Sequence, residues 1–173
     1  MSKVRFIADL HLGHINMAKK RGFATVEEHD EYIITQWNSV VHKRDITYIL
    51  GDVTMESAKS YPLLNRLNGV KKVVLGNHDR PSDVPELLKY VQSVGGMIRY
   101  KGIWLSHCPV HPMELEHRVQ RIIHGHIHEN LVEHWFTVFG FKLFKRVDRR
   151  YHCVSCEHVG YAPKTLIELG ITR

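Results

Sequence analysis

Val4-Arg5-Phe6-Ile7-Ala8-Asp9-Leu10-His11-Leu12-Gly13-His14 begins as a short apolar run and ends on alternating carboxylate and imidazole side chains. The run has the length of a buried strand, and the polar cluster starts where it stops. The same succession recurs four times. Residues 46–50 (ITYIL) run into Gly51-Asp52, residues 72–75 (KVVL) into Gly76-Asn77-His78-Asp79, residues 103–106 into His107, and residues 121–123 into His124-Gly125-His126-Ile127-His128. In open α/β sheets, ligands bind beyond the carboxyl ends of the strands. Five such ends on one edge would gather Asp9, His11, Asp52, Asn77, His78, His107, His126 and His128 from across the chain.

The intervening segments fit that picture. Thr25-x-x-Glu28 is a capping box that opens a helix to about residue 41, with Tyr32, Ile33, Trp37 and Val40 on one apolar face. A second helix is expected over residues 57–67, stopped at Asn68-Gly69, and a third over 85–91. Residues 97–100 and 103–106 read as a hairpin around Lys101-Gly102. Strands alternating with helices predict an α/β fold with a largely parallel sheet in the N-terminal half.

The 173 residues are expected to form a single domain, and 43% hydrophobic with 24% charged residues is the balance of a globular protein. No apolar run approaches the roughly 20 residues of a membrane span. The first residues lack the build of a signal peptide, and three cysteines do not suit a disulfide framework. A cytoplasmic protein with no membrane partner, a monomer or homodimer, is expected. The net charge of +6 favours an anionic partner. The 14 histidines are the sharper feature, because imidazole is the commonest metal ligand.

Mixed carboxylate and imidazole donors suit Mn²⁺, Fe, Zn²⁺, Ni²⁺ or Co²⁺ better than Ca²⁺ or Mg²⁺. The set is too large for one ion and about enough for two. Taken singly, Asp52 reads as a helix cap and Asn77 as a turn residue. Only their joint occurrence points to metal.

D-x-H (Asp9, His11), G-D (Gly51-Asp52), G-N-H-D (Gly76 to Asp79), the single His107 and G-H-x-H (Gly125 to His128) together resemble the calcineurin-like metallophosphoesterase superfamily, in particular its small single-domain bacterial and phage members. The resemblance covers residues 9–128. It implies a four-layer αββα sandwich of two mixed sheets flanked by helices. It further implies two divalent cations, manganese first among them. Asp9, His11 and His128 would hold one, Asn77, His107 and His126 the other, and Asp52 would bridge. His78 would be the general acid, with Asp79 as its orienting partner and Asn77 also touching the phosphoryl group. The implied reaction is hydrolysis of a phosphate ester by a hydroxide shared between the two cations.

Members that act on phosphoproteins follow G-D with an aspartate and an arginine, whereas this chain has Val53-Thr54. That departure moves the expected substrate towards phosphodiesters. Arg80 would serve as a substitute phosphate clamp, and His14 lies near enough to Asp9 and His11 to touch substrate. A nuclease or an enzyme that processes RNA or DNA ends is the alternative reading of the same centre. A non-catalytic metal-binding scaffold, as in the retromer subunit that resembles this superfamily but lacks the catalytic histidine, is a third.

Two features stand outside the motifs. Cys153 and Cys156 have C-x-x-C spacing, but the segment reads as a strand, where residues three apart face opposite ways, so a structural role is expected. Residues 134–150 read as an inserted hairpin around Gly140, with aromatics on both faces and five cations against one carboxylate, a net +4. Such a hairpin must be covered by the body, a second subunit, or nucleobases.

Overall fold

A computed structural model describes residues 2–171. Strands β1 (Val4–Ile7), β2 (Ile46–Leu50), β3 (Val70–Val74) and β4 (Ser93–Gly95) form a sheet in that order, parallel throughout. A second sheet has the order β10-β7-β6-β5, from β5 (Ile98–Tyr100), β6 (Ile103–Leu105), β7 (Ile122–His124) and β10 (Tyr151–Cys153). Its β10-β7-β6 portion is parallel, and β5 runs antiparallel to β6. The expected α/β sandwich is therefore present, with one correction: only the second sheet is mixed. Isolated bridges tie the first sheet's β1 region to the C-terminal segment, parallel from Ala8 to Ser155, two residues past β10, and antiparallel from Phe6 to Lys164.

One apolar cluster draws Phe6, Ile7, Leu50 and Val73 from the first sheet and Leu105 and Ile123 from the second. Helix α2 (Val26–Val40) closes over it with Ile33, Ile34 and Trp37. Tyr32, expected on that face, is 40% exposed, and Ile34 takes its place. The capping box forms as read, since Thr25 Oγ1 accepts from the Glu28 amide at 3.1 Å. Glu28 reaches back one residue further than the motif requires, to the Ala24 amide.

Other departures have local causes. The expected helix over 57–67 is a 3-10 segment, Ala58–Arg66, because Pro62 lies inside it and cannot donate an α-helical bond. The expected helix over 85–91 is only α3, Val84–Leu87. The strand read through Cys156 stops at Cys153, and Cys156 instead opens α4 (Cys156–Val159). Helix α1 (Ile15–Lys20) and strand β4 had no sequence counterpart.

The inserted hairpin is a separate two-stranded ribbon, β8 (Glu133–Val138) with β9 (Phe141–Val147), turning at Phe139-Gly140. Every residue of both strands is exposed. Among the described residues the body does not cover it, which removes one of its three expected covers. No helix of the described residues is long and apolar enough to cross a membrane.

Candidate metal centre

The carboxyl ends of β1, β2, β3, β6 and β7 converge, and the polar residues that follow them meet. Asp9, His11, Asp52 and His107 are buried. One atom each from Asp9, His11 and His128 can lie within 4.8 Å of one another, as can atoms from Asp9, Asp52 and His107. Asp52 Oδ2 stands 3.8 Å from His11 Nε2 and 3.4 Å from His107 Nε2. Asn77 Oδ1 is 2.9 Å from both His107 Nε2 and His126 Nδ1.

Two glycines of the motifs make room for the carboxylates. A Cβ on Gly76 would collide with Asp52 Oδ1, and one on Gly125 with Asp9 Oδ2. The backbone is strained here as well. Asp9, His11, Asp52, His126 and His128 all have φ between 48° and 73°, the left-handed region that L residues seldom enter. The strain is held from outside. The backbone amides of Asp9, His11 and Leu12 donate to the carbonyls of Gly51, Asp52 and Val53. The Arg21 guanidinium donates to the carbonyls of Asp9, at 2.7 Å, and Leu10, at 3.1 Å.

Burial and mutual contact shift the proton equilibria of the cluster in both directions. Burial pushes His11 down to about 3, so it is neutral with a lone pair available. Burial also raises Asp9, against the Ser155 hydroxyl that donates to it at 2.6 Å. Burial would raise Asp52 too, but contact with His107 holds it low. His107 donates from Nδ1 to the Leu50 carbonyl at 2.8 Å, which leaves Nε2 facing the oxygens of Asn77 and Asp52. That arrangement is satisfied by an imidazolium, or by a cation in place of its proton.

His128 has an arrangement that the sequence did not show. Its Nδ1 lies 3.2 Å from Glu157 Oε1, and this bond raises its pKa. Arg21 Nε donates to the same carboxylate at 2.9 Å. Burial works against the Glu157 charge, but His128 and Arg21 hold it at about 2. A carboxylate behind a ligating histidine fixes its tautomer and turns the other nitrogen towards the metal. Because the folded value lies below the ordinary 4.5, Glu157 stabilises the fold above pH 4.5 and loses that contribution as pH falls towards 2. Glu157→Gln should unfold more easily at neutral pH, by about 1–3 kcal/mol, with the gap to wild type closing under acid. Calorimetry over that range checks this, and a gap independent of pH would rule it out.

His78 and Asp79 separate. His78 is half-buried, its amide donates to Asp52 Oδ1 at 3.0 Å, and its Nδ1 is 3.3 Å from Glu56. Asp79, expected beside it, is buried and accepts from the amides of Asp52, Val53 and Gly76. It ties the β2 and β3 loops together, and Glu56 occupies the place assigned to it. His14 stands with its ring 6.1 Å from that of His11, and its buried Nδ1 has no hydrogen-bond partner. Arg80 turns to Asp83 at 3.0 Å, away from the clamp role expected of it. Cys153 and Cys156 donate to different carbonyls, those of His128 and Ala8, and form no shared site. Cys108, which no motif marked, can approach His107 and His126.

Arg21, Glu56, Ser155 and Glu157 escaped sequence reasoning because each is a single residue with no recurrent spacing. Both ring nitrogens of His11 are buried with no hydrogen-bond partner. A buried imidazole without partners is costly, and a cation shared with Asp9 and His128 would satisfy it.

No family model matches the chain. An uncharacterized protein of Methanocaldococcus jannaschii is 33% identical over 96% of this chain and 88% of its own length. The gene 66 protein of Mycobacterium phage D29 is 32% identical over 79% of this chain and 84% of its own, and that of phage L5 is 32% identical over 76% and 80%. The crystal structure of a protein of unknown function from Aquifex aeolicus superposes with a TM-score of 0.70 over 98% of both chains, at 23% identity. That likeness is one of fold. A structure described as a novel archaeal phosphodiesterase gives a TM-score of only 0.45 at 15% identity over 88% of this chain and 82% of that one, which carries no argument about activity.

Proposed function

The chain belongs to one family with the Methanocaldococcus jannaschii protein and the mycobacteriophage gene 66 proteins, and for this chain we propose the hydrolysis of phosphate esters, diesters above all, with two divalent cations. The observation that carries the reading is the buried, unpartnered His11 within a ring of further metal donors. Asp9, His11 and His128 would hold one cation and Asn77, His107 and His126 the other, with Asp52 between them. When bound, such a pair polarises the phosphoryl group and activates water near neutral pH, and Mn²⁺ leads the ions that this donor set suits.

The chain's own residues do the rest. Burial of Asp9, Asp52 and His107 keeps solvent from the donors. His78, anchored through its amide to Asp52 and turned by Glu56, offers its outer nitrogen to protonate the departing oxygen. Glu157 and Arg21 orient His128. The preference for diesters follows from charge. A monoester dianion needs a fixed cation for its second charge, yet the positions after Asp52 hold the buried Val53 and Thr54, and Arg80 is engaged by Asp83.

The test is turnover of bis-p-nitrophenyl phosphate and p-nitrophenyl phosphate by chelated protein and by protein reloaded with Mn²⁺, Fe²⁺, Zn²⁺, Ni²⁺ or Co²⁺. Chelated protein should be inactive and reloaded protein active, faster on the diester by about tenfold or more, a difference of roughly 1.4 kcal/mol in barrier. Binding of two cations with no turnover of either ester would make the chain a metal-binding scaffold instead.

A further inference from the structure

The β8–β9 ribbon carries its chemistry on both faces. In an antiparallel pair, directly opposed residues share a face. On one face Trp135 lies opposite Lys145, with Lys145 Nζ 5.8 Å and Lys142 Nζ 5.7 Å from its ring centre. On the other, Phe136 stacks on Phe144 at 5.1 Å, and the Arg146 guanidinium stands 5.8 Å and 5.6 Å from the two rings. The tip is Phe139, 96% exposed and held at φ 48°. A bulky residue in the left-handed region at a fully exposed position has no packing reason to be there.

Several occupants are poor matches. A second copy would bring a like-charged arm, since residues 134–150 carry a net +4. A lipid surface calls for one apolar and one cationic face, whereas each face here mixes rings with cations. Single-stranded nucleic acid matches both components, because its unpaired bases offer faces for stacking and its phosphates pair with the lysines and arginines. A duplex keeps its bases stacked away. We propose that the ribbon is an arm for single-stranded nucleic acid, which names the polymer whose phosphodiesters the metal centre would meet and so rests on the function proposed above. The ribbon begins five residues beyond His128, so strand and site are joined by a short connection.

The experiment is fluorescence anisotropy with labelled oligo(dT) and oligo(U) of about 20 nucleotides and a duplex of equal length. It uses the full chain, both chelated and loaded with Mn²⁺. Binding to either or both single strands is expected in both states, tighter than to duplex. Dissociation should steepen with salt by about 0.7 in the log–log slope per phosphate contacted. Trp135→Ala with Phe144→Ala should weaken binding by about tenfold or more, and Lys142→Glu with Arg146→Glu should flatten the salt slope, with the unfolding temperature of each double variant unchanged. Variants that bind like wild type, binding confined to the loaded state, duplex bound at least as well, or a ribbon-dependent dimer without oligonucleotide binding would each overturn the proposal. Binding by a protein that turns over no ester would sink the phosphoesterase reading and leave the arm standing. Turnover without binding would do the reverse.

Discussion

Asp52→Asn is expected to lower the divalent-cation content from about two per chain to below one and to cut diester turnover by about three orders of magnitude, several kcal/mol of lost stabilisation. The substitution is nearly isosteric, so the oxygen that accepts from the His78 amide can remain in place. What is lost is the charge between His11 Nε2, at 3.8 Å, and His107 Nε2, at 3.4 Å. Asp52 is the proposed residue common to both cations, so its neutralisation should empty both halves rather than one. His11→Ala, by contrast, should spare the half built from Asn77, His107 and His126. Metal analysis after dialysis decides the matter. Two cations retained by Asp52→Asn at wild-type affinity would remove Asp52 from the bridging role.

The second large effect is on His78. His78→Ala should keep both cations, because the ring, though 6.0 Å from that of His11, turns its Nδ1 to Glu56 and joins none of the clusters of metal donors. Turnover of a diester with an alkoxide leaving group should fall by about 10²–10⁴, the usual worth of a positioned acid. Bis-p-nitrophenyl phosphate should lose far less, since nitrophenolate departs without a proton. An equal loss on the two substrates would take His78 out of the acid role, and loss of metal would assign it to the cage.

The sequence made the proposed ligands legible because each follows an apolar strand and three of them, Asp52, Asn77 and His126, adjoin a glycine. Those are short-range signals, and parallel pairing of β1, β2 and β3, and of β6 and β7, turns them into one cluster. The supports were not legible. Glu157 and Arg21 lie 136 residues apart and meet only through the bridge from β1 to the end of β10. Asp79 misled for the opposite reason. It adjoins His78 in sequence, but neighbouring residues in a tight turn point different ways, and three backbone amides claim its carboxylate. Pro62 was visible in the sequence, yet its effect depends on whether the segment tightens or breaks, which packing decides.

The left-handed backbone at Asp9, His11, Asp52, His126 and His128 bears on how this chain can drift. Each such position costs on the order of 1 kcal/mol, so together they consume a sizeable share of a typical domain's margin of about 5–15 kcal/mol. Glycine would relieve the strain at any of them and would abolish the donor. Substitution there therefore sets the proposed metal site against the stability of the fold.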